Sequence, residues 1–145
     1  MADYYGVNTT KVIAGTGGSN WVATGSIKTT PKVWYDSYEL SAVAAGKTIE
    51  VARLPVGAKI LDFKMAWDDL GSSVTLALGD STTADRYMAA TAANAAGNSD
   101  AIKVDGMGYV TGTADDDEKI LITTAGATAT GTVKVAILYT DGDKA

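Results

Sequence analysis

Residues 47–67 read KTIEVARLPVGAKILDFKMAW, two strongly apolar runs joined by Pro55-Val56-Gly57, and this stretch limits the fold more than any other. After the turn, Leu61, Phe63, Met65 and Trp67 alternate with Asp62, Lys64 and Ala66. That period of two puts one face of a strand into a core and the other toward solvent. Before the turn, Ile49 and Val51 share a face until Arg53 breaks the parity ahead of Leu54, which predicts a bulge or strand end near Ala52. The centre of the chain is therefore expected to be two core strands with a tight connection.

The same rule carries through the remaining runs. Residues 33–40 (VWYDSYEL) place Trp34, Tyr38 and Leu40 with Asp36 on one face and Val33, Tyr35, Ser37 and Glu39 on the other. Neither face is cleanly apolar, so both sides of this strand are expected to be partly covered, one by the core and one by another element or subunit. A turn at residues 44–46 and another at 68–71 bracket further runs, and Val74, Leu76 and Leu78 alternate in the strand of residues 73–78. A short strand is expected at 86–89, followed by a loop. Weaker strands at 101–104 and 107–111 flank an Asp105-Gly106 hairpin turn. Residues 119–124 supply Ile120, Leu121 and Ile122, and residues 132–140 alternate Val133, Val135, Ile137 and Tyr139 with Lys134, Ala136 and Leu138. About eight short strands at regular intervals imply an all-β fold of two packed antiparallel sheets, a sandwich or jelly roll.

At 145 residues the chain is the size of one domain, with 16 Gly and 2 Pro that suit many turns. Residues 1–31 differ from the rest. They hold only Asp3, Lys11 and Lys28 as charges, among Gly, Thr, Ser and Asn, and read as an extended N-terminal arm ahead of a sandwich domain at 32–145. Tyr4, Tyr5, Val12, Ile13 and Trp21 lie in this arm and need something to pack against. The arm either lies on its own domain or crosses to a neighbouring chain or larger surface that supplies the ordering energy.

A net charge of −5 without any basic cluster argues against nucleic acid and anionic membrane as partners, because phosphate binding depends on Lys and Arg. With no Cys and no His, disulfides, zinc-type sites and thiol or imidazole catalysis are excluded, and no cofactor is expected. The N-terminus lacks the pattern of a secretory signal, and no apolar run approaches a membrane span, so synthesis in the cytoplasm is expected. The acidic run Asp115-Asp116-Asp117-Glu118 offers oxygen ligands, but consecutive side chains on an extended segment diverge and the spacing of a calcium loop is missing. Asp36, Glu39, Asp62, Asp68 and Asp85 form no assignable carboxylate pair, and no nucleophile with its base is visible, so the chain is not expected to be an enzyme.

Three phrases carry a resemblance: YDSYELSAVAAGKTIEVARLPVGAKILDFKMAWDDLGSSVTLALGD at 35–80, DRYMAA at 85–90 and TGTVKVAILYT at 130–140. Together they resemble the jelly-roll decoration, or cement, proteins of tailed-bacteriophage capsids. The resemblance covers about two thirds of the chain, rests on strand and turn phrases, and leaves the first 31 residues outside it. It implies a homotrimer on the outer surface of a phage head that clamps adjoining subunits of the major capsid protein. The arm would then be the tether, with Tyr4, Tyr5, Val12, Ile13 and Trp21 as anchors on capsid or neighbouring subunit. A carbohydrate- or receptor-binding sandwich of a phage tail or fibre is the rival, with Trp34, Tyr35 and Tyr38 set against sugar rings.

Overall fold

The computed structural model describes residues 31–112 and 118–140. These residues contain eight strands: β1 (Lys32–Val43), β2 (Thr48–Leu54), β3 (Lys59–Trp67), β4 (Thr75–Asp80), β5 (Met88–Ala92), β6 (Gly97–Ser99), β7 (Glu118–Ala125) and β8 (Ala129–Thr140). One sheet has the order β1-β8-β3-β6 and the other β2-β7-β4-β5, and every pairing is antiparallel. The first strand thus pairs with the last, the second with the seventh, the third with the sixth and the fourth with the fifth. A single long hairpin rolled over on itself gives this order, and it is a jelly roll.

The inward rows are those that the alternation requires. Ile60, Phe63, Met65 and Trp67 on β3 meet Val133, Val135, Ile137 and Tyr139 on β8, all buried. Val51, Leu54, Leu76, Leu78, Ile120 and Ile122 close the core from the other sheet. Each large side chain so buried contributes roughly 1.5–3 kcal/mol. The break expected near Ala52 is present, since the β2–β7 register shifts between Glu50 and Ala52.

Local departures from the expected pattern have local causes. Leu61 is only half-buried and Ile60 takes its place in the core, because the β3–β8 register slips between Ile60 and Asp62. One extra residue there reverses the facing of everything before it. Asp62 Oδ1 accepts a hydrogen bond from Phe63 N (2.8 Å) at that irregularity. The strand expected at 86–89 begins instead at Met88, since Arg86 and Tyr87 are held by the turn that follows β4. The expected strands at 101–104 and 107–111 do not form. That region is a series of turns that follows β6, touches Tyr87 ahead of β5 and returns to the start of β3, with Val110 making a single bridge to Lys59.

Candidate interaction surface

The edge strand β1 is the first exposed element. It is 12 residues long, and among the described residues β8 is the one strand that pairs with it. Its inner row continues the core: Leu40 is buried and Trp34 packs against the core while remaining half-buried. The outer row does not. Val33 is 63% and Tyr35 62% exposed. Their cross-strand partners are Leu138 and Ala136 on β8, which in turn stand beside Asp62 and Lys64 on β3. Val33, Asp62, Lys64, Asp100, Ala136 and Leu138 line a shallow hollow on this face. Its apolar corner lies where residues 1–30 join the sandwich and where β8 ends.

The crossing segment at residues 100–112 is the second. Val104 is 92% and Met107 58% exposed, and Val110 also faces solvent. Such exposure would suit a floppy loop, but this one is fixed at several points. Gly108 N donates to Ile60 O (2.7 Å), Thr111 N to Ala58 O (2.8 Å) and Lys103 N to Tyr87 O (2.8 Å). The Thr111 hydroxyl accepts from Ala58 N (2.9 Å) and donates to Pro55 O (2.7 Å).

Charged groups complete the clamp. Lys103 Nζ pairs with Asp85 Oδ2 at 3.0 Å, and the Arg86 guanidinium lies 4.0 Å from the centroid of the Tyr109 ring. Behind it, the buried Asp80 carboxylate takes Arg86 Nε on Oδ2 and the amides of Thr82 (2.9 Å) and Thr83 (2.8 Å) on Oδ1. The hydrogen bond to Asp80 holds the Arg86 guanidinium above the ordinary arginine value, with the carboxylate's charge adding to it and partial burial working the other way. The Lys103 hydrogen bond, followed by its charge, holds the Asp85 carboxyl below the usual aspartate range. Gly79 permits this arrangement: a Cβ there would lie 2.1 Å from Thr83 O, where the turn folds back on β4.

The residues singled out from sequence fall as follows. Tyr4, Tyr5, Val12, Ile13, Trp21, Asp115, Asp116 and Asp117 lie outside the described residues. Trp34 and Tyr38 occupy the inner row of β1 and Tyr35 the outer, so the three aromatics do not form one platform for a sugar ring. Asp36, Asp62 and Asp68 accept from the backbone amides of Ser37, Phe63 and Thr132, and Asp85 is paired with Lys103. These carboxylates act as turn and strand fasteners. No group of three or more acidic side chains converges among the described residues. The exposed apolar tip of the crossing segment escaped notice because Val104, Met107 and Val110 read as weak strands.

The described residues therefore form an eight-stranded jelly roll whose chemistry lies in surfaces and not in a cleft. A scan against protein-family models matches none, and a search of curated proteins finds no relative. Among solved structures, a chain of the capsid asymmetric unit of cyanophage Pam1 is similar, with 25% identity and a TM-score of 0.65 over 79% of this chain and 86% of that one. A chain from the capsid of Ralstonia phage GP4 shares the fold at 21% identity and a TM-score of 0.64, covering 81% of this chain and 87% of its own length. The likeness to the Pam1 chain supports a structural, capsid-related protein of a phage, and the Ralstonia phage chain adds the fold alone.

Proposed function

We propose that the protein is a decoration, or cement, component that attaches as a homotrimer to the outer surface of a phage head and clamps adjoining subunits of the major capsid protein. It performs no catalysis and takes no cofactor. The observation that carries this reading is the likeness to a chain of the Pam1 capsid over most of both chains. The two surfaces described above add to it, since a protein of this size that leaves Val33, Tyr35, Val104 and Met107 open to water has apolar area for a partner to cover. A cyclic trimer presents three equal contacts at once, so modest interfaces sum to a tight attachment by effective concentration.

Residues 1–31 serve as the tether in this proposal, with Tyr4, Tyr5, Val12, Ile13 and Trp21 as anchors, and residues 32–145 as the sandwich domain. The test is sedimentation mass, followed by mixing with bare heads assembled from the major capsid protein of the same virus. A trimer that binds heads, and a chain lacking residues 2–30 that still folds but no longer binds, are expected. A monomer, or a truncated chain that binds as well as the full one, overturns the reading. Signal on a glycan array would favour a receptor-binding module instead.

A further inference from the structure

We propose that the exposed tip formed by Val104 and Met107 of one copy seats in the hollow beside Val33 and Tyr35 of the next, and that this head-to-tail contact, made three times, closes the ring. The inference rests on the homotrimer proposed above and names the two surfaces that join it. Among the described residues, the large apolar side chains open to water fall into two groups: Val33, Tyr35 and Tyr38 on β1, and Val104, Met107 and Val110 in the crossing segment. The sheet order places β1 at one edge, beyond β8. Ile60 N donates to Tyr109 O (2.9 Å), Gly108 N donates to Ile60 O (2.7 Å) and Val110 bridges Lys59, so the crossing segment runs along the side of β3 away from β8. Lys103 N reaches Tyr87 O just ahead of β5, the far edge strand of the other sheet. The two groups therefore stand on opposite sides of the sandwich, at least three strand spacings or roughly 14 Å apart, and neither covers the other within one copy.

Symmetry selects the pairing. A ring of three is heterologous, so one patch on each copy meets a different patch on the next. Were each group to meet its own kind, two separate twofold contacts would result, which give a dimer or an open chain but no threefold ring. Two unlike apolar patches on opposite sides of one sandwich are what a heterologous ring needs, and one contact covers both. Shape agrees: the tip projects and is held in place by the backbone bonds at Lys103, Gly108 and Thr111, while Val33, Ala136 and Leu138 form the apolar wall of a hollow. Charge agrees as well. Asp105 stands between Val104 and Met107, Lys64 is the one cation lining the hollow, and neither has an ion-pair partner among the described residues. Asp62 and Asp100 also line the hollow, opposite in sign to Lys103 of the tip. Apolar burial drives the contact, and these charges set its register.

Because the chain has no cysteine, disulfide trapping reports this contact cleanly. Full-length V33C/V104C, V33C/M107C, Y35C/V104C and Y35C/M107C are oxidised mildly beside the four single variants. Within one copy these positions lie beyond the roughly 7 Å between Cα atoms that a disulfide tolerates, so a bond between them joins two copies. At least one double variant is expected to run as covalent dimer and trimer on a non-reducing gel, with the single variants remaining monomeric there. Sedimentation gives an independent readout. V104D/M107D is expected to be a monomer at concentrations at which the native chain is a trimer and, when both are diluted to monomer, to unfold at the same urea concentration. Efficient trapping of the single variants, position 35 to position 35 or 107 to 107, shows a twofold contact and overturns the pairing. A V104D/M107D chain that still sediments as a trimer, or no trapping in any double variant, overturns the contact but leaves the trimer standing. A native chain that sediments as a monomer overturns the trimer itself.

Discussion

Asp80 is buried at the end of β4 with its charge spent entirely inside the protein, on Arg86 and on the amides of Thr82 and Thr83. Replacing it by Ala leaves a largely buried guanidinium without its counter-charge. D80A should cost about 3 kcal/mol, the low end for a broken buried pair because Arg86 reaches solvent in part. D80N keeps an acceptor for the two amides and should cost about 1–2 kcal/mol, both read from urea unfolding midpoints. Asp85 behaves differently because its pair with Lys103 is exposed. Its lowered pKa means that the pair stabilises the fold at pH values above the ordinary aspartate range, and that this contribution is lost as the pH falls through the lowered value. D85N should therefore be slightly less stable than the native chain at pH 7, with the difference lost as the pH falls through the lowered Asp85 value. None of this was legible in the sequence, where Gly79-Asp80-Ser81 looks like a turn at a strand end. Burial of a turn carboxylate depends on which residue folds back over it, and no periodicity records that.

At the scale of elements, the long strands were legible because their buried rows repeat every second residue, as at Val74, Leu76 and Leu78 or at Val133, Val135, Ile137 and Tyr139. The failures occur where that period is broken or too short to register. A one-residue slip exchanges Leu61 for Ile60 in the core, and three residues with a glycine, β6 (Gly97–Ser99), leave no pattern at all. The segment at 100–112 misled in the opposite sense: Val104, Met107 and Val110 carry β propensity but turn outward from a series of turns pinned by side chains. V104D/M107D removes no core contact, so its unfolding free energy should stay within about 0.5 kcal/mol of the native value. If the tip is a partner contact, the same variant should bind heads at least tenfold more weakly, a loss of about 1.4 kcal/mol. The turn between β7 and β8 has the reverse sensitivity. Gly126 has φ +87° and a Cβ there would lie 1.9 Å from Ser73 O, so G126A should cost at least about 1–3 kcal/mol in the same measurement.

At the scale of the molecule, the balance of charge bears on how copies would meet in the proposed trimer. Each chain carries a net charge of −5, so the proposed trimer would gather three times that charge into one particle. Its apolar contacts must therefore form against a long-range repulsion. Salt screens that repulsion over a distance of about 10 Å at 0.1 M and about 3 Å at 1 M, while the burial of apolar surface is not weakened by it. The two effects act in the same direction. Self-association should tighten as sodium chloride is raised from 0.05 to 0.5 M, visible as a lower dissociation midpoint in a dilution series followed by sedimentation. A protein whose assembly depended on opposite charges meeting across the interface would show the reverse trend. The slope thus decides which force joins the copies: tightening with salt supports contacts through Val33, Tyr35 and their apolar neighbours, and loosening assigns assembly to ion pairs such as one between Asp105 and Lys64.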